Sequence, residues 1–366
     1  MRAIAVLLLA SGLAALGCRR PRPAPTAAPC THVQATREVR GLALCEDVWT
    51  CARPPDGAFD RVGLRRIAAC RGGTGPLVLY LPGMHMTGDV PTTDARADLR
   101  LYLAQAGIRT WAIDYRTHAV PADATPADLE ALGHWTAQLF ADDVRWAMAF
   151  VRAAEPGPIV LAGFSFGGAL AYRVATAERP AGLVVLDAAA GAGRAPRGSG
   201  PALDVASGRL PWPARRELLA AVMVDPAAPS PLPGYPSAGA ALADVLWTSP
   251  TFGGQGGLSA ARDGASDPQL LARLLAGEDR WWPRAALDDA PPRPPRTPLP
   301  VLAFASTRLG PAWVERVRAS ARAWGGPGAE VRELPGYGHL DVLVGRNALR
   351  DVFEPVRAWL TGAPAD

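Results

Sequence analysis

The chain has 366 residues, 49% of them hydrophobic, with 38 Gly and 37 Pro, enough apolar mass for a packed core and too much for a disordered or fibrous chain. All 38 basic residues are arginine; without lysine there is no Walker-type phosphate loop, no Schiff base and no Ser-Lys hydrolase. The net charge of +4 is not gathered into a long basic block, so no nucleic-acid partner is expected.

Residues 1–17 open with one cation at Arg2, continue through an apolar stretch from Ala3 to Leu16, and end in the small Gly17 before Cys18. At about 1.5 Å per residue the apolar stretch is too short to span a bilayer, and it reads as a signal peptide. Ala15-Leu16-Gly17-Cys18 resembles the lipobox of bacterial lipoproteins. That resemblance implies cleavage before Cys18, lipidation of its thiol, and an exported protein anchored to a membrane facing periplasm or cell surface. Residues 18–29 are Pro-rich and suit an extended tether. Of the five cysteines, Cys30, Cys45, Cys51 and Cys70 remain, an even number that suggests two disulfides in an oxidising compartment. Three connectivities are open, with Cys45–Cys51 and Cys30–Cys70 preferred.

From Phe59 onward apolar runs alternate with helical patterns, the signature of a mostly parallel sheet flanked by helices. Strands are expected at Leu77–Leu81, Thr110–Tyr115, Ile159–Ala162, Leu183–Leu186, Pro300–Ala305 and Glu330–Leu334, and helices at Asp94–Ala106, Leu132–Ala154, Phe166–Thr176 and Leu349–Leu360. Arg61–Ala69 and the segment around Val39 suit antiparallel edge strands. Residues 192–298 break the rhythm and are too long for a loop, so they are expected to form an inserted cap, with helices at Pro213–Met223 and Pro268–Ala276.

The strongest motif is Gly163-Phe164-Ser165-Phe166-Gly167-Gly168, after one strand and opening a helix. Small residues on either side allow a sharp turn that exposes the Ser165 hydroxyl, and the helix N-terminus offers N–H groups where an oxyanion would form. Of the five histidines, His339 lies just past the last strand, on the same sheet edge as Ser165, and is the expected base.

Together the elbow at Ser165, the late Gly338-His339-Leu340-Asp341 and the insertion before the penultimate strand resemble the α/β-hydrolase superfamily. The C-terminal motif is similar to that of polyhydroxyalkanoate-synthase-like and lipase-like members. Synthases of that group use Cys, so Ser165 favours hydrolysis. On this resemblance residues 30–75 are a disulfide-rich N-terminal segment with edge strands, 76–191 and 299–366 the two parts of the hydrolase core, and 192–298 the cap. The oxyanion loop corresponds to Leu81-Pro82-Gly83-Met84-His85-Met86, with the N–H groups of Met84 and Phe166 as donors. Most members carry the acid after the penultimate strand, but here no carboxylate follows until Glu315. A minority carry it one strand earlier, where Asp187 stands, so Asp187 is the expected acid ahead of Glu315. Asp341 lies too close to His339 along the chain to orient it.

Phe164, His85, Trp281 and Trp282 are expected to line the pocket, with Trp212, Trp247, Tyr235, Phe252 and Leu258 as further cap residues. The Gly-rich stretch around Gln255 suits a lid or a disordered loop. The expected activity is cleavage of carboxylic esters with apolar acyl or alkyl groups, small-molecule or lipid, without metal or cofactor. Amidase or acyltransferase activity would use the same residues, and a non-catalytic binding module is the alternative from another class.

Overall fold

The computed structural model describes residues 30–38, 44–70, 75–191, 200–205, 210–287 and 290–362. The signal peptide, the tether with Cys18, and Val39 lie outside them.

Among the described residues nine strands form one sheet: β1 (Cys30–Glu38), β2 (Leu44–Ala52), β3 (Arg61–Ala69), β4 (Leu77–Leu81), β5 (Arg109–Asp114), β6 (Ile159–Phe164), β7 (Gly182–Leu186), and, beyond the insertion, Val301–Ser306 and Glu330–Leu334. A short antiparallel pair in the insertion supplies β8 (Ala202–Asp204) and β9 (Trp281–Pro283), making the last two core strands β10 and β11. The sheet order is β1-β2-β3-β5-β4-β6-β7-β10-β11. From β5 to β11 every pairing is parallel, whereas β1, β2 and β3 join antiparallel at one edge. Strands β4, β6, β7 and β10 are buried along their whole length, as sequences apolar on both faces require.

Side chains alternate between two cores with the period of a strand. Leu77, Leu79 and Leu81 of β4 face the layer holding Phe140, Val144 and Leu170; Val78 and Tyr80 face the opposite layer with Leu99 and Val356, which runs on into Leu218, Leu242 and Leu271 of the insertion. Truncating a fully buried member such as Leu161 to Ala costs about 2–5 kcal/mol.

The helices are α1 (Leu99–Gln105), α2 (Pro126–Leu129), α3 (Ala137–Ala154), α4 (Phe166–Ala177), α5 (Trp212–Val224), α6 (Ala238–Trp247), α7 (Pro268–Ala276), α8 (Pro311–Gly325), α9 (Asp341–Val344) and α10 (Glu354–Thr361). Two expected helices start later than their apolar periodicity because of a cap. Asp98 accepts from the N–H groups of Arg100 and Leu101 and begins α1, and Thr136 accepts from that of Leu139 and begins α3. The expected C-terminal helix opens as a wide π turn over Leu349–Phe353; Pro355, with no N–H to give, follows it.

The disulfides are Cys30–Cys51 and Cys45–Cys70, with Cα separations of 4.1 and 4.9 Å, which corrects the preferred pairing. Cys45 and Cys51 lie on one strand at a rise of about 3.3 Å per residue, far beyond disulfide reach. Register decides instead: Cys30 is the direct partner of Cys51, and Cys45 pairs with Ala68, which brings Cys70 alongside.

Candidate active site

The order of winding reverses at β4: its two parallel neighbours are β5 on one side and β6 on the other. At such a switch point the loops leaving the two strands diverge and open a crevice at their carboxyl ends. The loop after β4 carries Met84, and the turn after β6 carries Ser165.

Ser165 has φ 53° and ψ −119°, a conformation costing about 1–3 kcal/mol that a tight surrounding must hold. A Cβ on Gly163 would lie 2.3 Å from the Gly167 carbonyl oxygen, and one on Gly167 2.0 Å from that of Leu81, so no larger residue fits either place. The Ser165 N–H donates to the Leu186 carbonyl at 3.0 Å, pinning the turn to the end of β7. Phe166 is the first residue of α4; its N–H has no carbonyl within the helix to meet and lies at the positive end of the helix dipole.

The β4 loop closes with Met86 N–H donating to the Gly83 carbonyl at 3.1 Å, and His85 takes φ 66°. His85 is buried and its Nδ1 lies 2.9 Å from the Asp279 carbonyl oxygen. A carbonyl only accepts, so Nδ1 carries the proton and Nε2 is a bare acceptor. Desolvation pushes the His85 pKa down to about 4, so the ring is neutral. In return the Asp279 N–H donates to the His85 carbonyl at 2.6 Å.

His339 arrives on the loop after β11. Its N–H donates to the Gly257 carbonyl and that of Leu340 to Leu258, both at 2.8 Å, so the Gly-rich stretch expected as a lid straps the histidine loop. The ring lies between Phe164 and Phe252, with centroid separations of 4.7 and 4.6 Å. Its Nδ1 is 2.6 Å from Asp187 Oδ2.

Asp187 is fully buried with φ 50°. Beside His339 it accepts from Ser306 Oγ on Oδ2 at 2.6 Å, and on Oδ1 from the Ser306 N–H and Trp313 Nε1, each at 2.8 Å. Four donors on one carboxylate offset the cost of burying its charge. Of the five non-glycine residues at positive φ among the described residues, three are His85, Ser165 and Asp187, the clustering expected where surroundings enforce a working geometry.

Glu315 is on the solvent side of α8, 61% exposed and paired with Arg318. Asp341 is buried and accepts from the N–H groups of Gly338 and Ala260 and the hydroxyls of Ser259 and Ser266 at 2.6–2.8 Å. It braces the histidine loop against the insertion without touching the ring.

Ser165, His339, Met84, His85 and Phe164 line one cavity of about 230 Å³, roofed by Phe252 and Leu258 of the insertion. Trp281 and Trp282, expected in the pocket, do not line it. Trp282 is fully buried one layer behind, in ring contact with Phe166 at 4.9 Å, His85 at 5.7 Å and Phe140 at 5.3 Å; Trp281 packs under the Arg280 guanidinium at 4.3 Å. Adjacent residues of a strand point to opposite sides, so the pair could not face one pocket together. Sequence reasoning missed Ser306 and Trp313. Ser306 ends β10, the usual place of the acid, which is a positional signal; an indole in a helix carries none.

The strand order and the placing of the elbow within it are those of an α/β hydrolase. The family model described as the alpha/beta hydrolase family matches residues 78–352, and the chain belongs to that family. Among solved structures, a protein of Sulfolobus solfataricus described as a candidate lipase superposes with a TM-score of 0.73 at 24% identity, covering 91% of this chain and 99% of that one. An alpha/beta hydrolase fold protein from Nakamurella multipartita gives 0.51 at 19% identity, covering 83% and 96%. At these identities the likeness is one of fold. No curated protein matches the chain in sequence.

Proposed function

We propose that the protein is a serine hydrolase that cleaves carboxylic esters of apolar acyl or alkyl groups through an acyl-enzyme. The observation that carries this reading is the 2.6 Å contact between His339 Nδ1 and Asp187, in a cavity that His339 shares with Ser165. Asp187 holds the proton on Nδ1, which leaves Nε2 free to take the Ser165 proton. The hydroxyl oxygen attacks the ester carbonyl while the N–H groups of Met84 and Phe166 receive the oxyanion. His339 then protonates the leaving alcohol, and water, activated by the same ring, releases the acid.

The apolar wall of Leu203, Leu246, Leu258 and Leu275 supports an apolar group on the substrate. The alternative of a binding module without turnover rests on the lack of an acid after β10; the Asp187–His339 contact favours turnover. Lipidation of Cys18 and export to a membrane surface belong to the same proposal, supported by the N-terminal pattern and by two disulfides, which persist in oxidising compartments.

The test is a chain-length series of p-nitrophenyl esters with wild type and Ser165→Ala, together with fluorophosphonate labelling. Turnover and labelling lost only in the variant are expected; a folded wild type that neither labels nor turns over any ester would refute the reading. For the anchor, detergent-phase partition lost on Cys18→Ala is expected, and unchanged partition refutes it.

A further inference from the structure

The cavity's inner wall is not apolar throughout. Arg215 of α5 and Glu278, just past α7, both line it and form an ion pair, with side chains only 13% and 9% exposed. Burial pushes the Glu278 carboxyl up and the Arg215 charge pulls it back. As packing, the pair is a poor choice: apolar residues of similar volume in its place would usually serve stability as well or better. A guanidinium offers five N–H donors. Among the described residues Arg215 gives only Nη2 to a partner, Glu278, and its buried Nε has none.

His85 faces the same cavity, near enough for the Arg215 charge to act on it. Its Nδ1 is occupied by the Asp279 carbonyl, which leaves Nε2 as an unused acceptor. Donor and acceptors therefore line the same cavity as Ser165, with His85 one residue from Met84. Glu278 balances the charge of Arg215, and Asp204, also on the wall, is balanced by Arg280. With no surplus cation among the described residues of the wall, it suits a neutral group and not a carboxylate.

We propose that His85, Arg215 and Glu278 form a polar subsite that binds a neutral hydrogen-bonding group, a hydroxyl or an amide, on the acyl chain, so that the preferred esters are those of functionalised acids over plain alkyl ones. The inference rests on the ester-hydrolase reading and adds substrate class to it. A site built to pair a polar group discriminates steeply against analogues that lack it, because its own groups are then left unpaired.

The experiment compares kcat/KM for two substrate pairs: p-nitrophenyl 3-hydroxyhexanoate with hexanoate, and p-nitrophenyl N-acetyl-β-alaninate with 5-methylhexanoate. Each value is divided by the ester's own rate with hydroxide. Wild type is expected to favour the polar member of at least one pair by about tenfold or more, the scale of one hydrogen bond to a charged group. Arg215→Met combined with Glu278→Met, which leaves no lone buried charge, is expected to collapse that ratio. Wild type that prefers the alkyl member of both pairs overturns the proposal without any variant. So does a double variant whose ratio stays within twofold of wild type, since the pair is then only a brace between α5 and α7. Failure of the hydrolase reading looks different, with no ester turned over and no fluorophosphonate on Ser165, and that result overturns both.

Discussion

Asp187→Asn changes one heavy atom and leaves the shape of the site alone, yet it is expected to abolish most activity. Oδ1 receives the Ser306 N–H and Trp313 Nε1, two groups that only donate, so the amide oxygen must take that position. The NH2 group then stands where Oδ2 was, 2.6 Å from Ser306 Oγ and from His339 Nδ1. The serine hydroxyl can rotate to accept, but His339 can accept only by moving its proton to Nε2, the atom that must receive the Ser165 proton. The loss for a triad in the wrong tautomer is about 10⁴-fold in kcat, or about 5 kcal/mol at 1.36 kcal/mol per decade. Stability should fall less, by about 1–3 kcal/mol, since every donor keeps a partner or turns. Ester kinetics paired with urea denaturation separate the two effects. Glu315→Gln is the control: it breaks only an exposed pair with Arg318, worth at most about 1 kcal/mol, and should keep kcat within about twofold. Retention of more than a tenth of wild-type kcat in Asp187→Asn, or inactivity in Glu315→Gln, refutes the assignment.

Trp313→Phe removes one donor from Asp187 and should lower kcat about tenfold with little change in KM, as a lost hydrogen bond to a charged group would; unaltered kcat would show that the indole only packs. Peptide mapping without reduction should recover Cys30–Cys51 and Cys45–Cys70. Replacing Cys45 and Cys70 together by Ser should cost about 3 kcal/mol in denaturant, because that bond closes a loop with a sequence separation of 25; an unchanged midpoint contradicts it. The Asp279 carboxylate, hydrogen-bonded to His118, raises the His118 pKa to about 9. Its stabilisation is therefore complete below the unfolded value of ~6.5 and lost as pH rises towards 9, and His118→Gln should flatten that alkaline decline in Tm. His85 runs the opposite way: held by burial at about 4, it withdraws stability as pH falls from ~6.5 towards 4, on the order of 3 kcal/mol in all. His85→Gln should remove that acid slope, and a slope identical to wild type would exclude the assignment.

The elbow and the histidine loop were legible because their chemistry is local. A strand of apolar residues, glycines flanking a serine and a following helix are set by neighbours in sequence. What was not legible depends on register and on depth. The disulfide pairing needs the alignment of Cys30 with Cys51 across β1 and β2, which no spacing rule supplies. Trp282 has the composition of a pocket residue but is a second layer, holding Phe166 and His85 from behind. The Gly-rich stretch reads as mobile from composition alone; its fixity comes from the carbonyls of Gly257 and Leu258, which accept from the histidine loop.

The carboxylate that meets His339 stands after β7 and not after β10, and the sheet explains how it reaches. β7 and β10 are parallel neighbours, with Leu186 opposite Phe304. The Asp187 N–H continues that ladder one step, donating to the Phe304 carbonyl at 3.0 Å, before φ 50° turns the chain away. The side chain is thereby directed across the end of β10, where Ser306 meets it with both N–H and hydroxyl. Neighbouring strands are about 4.8 Å apart, roughly the span a short acidic side chain can bridge. A carboxylate rooted at the end of either strand can thus present an oxygen to the same imidazole edge. A residue count along the chain finds no carboxylate directly after β10; the sheet brings Asp187 to His339 from the strand beside it, and Ser306 at the end of β10 donates to it.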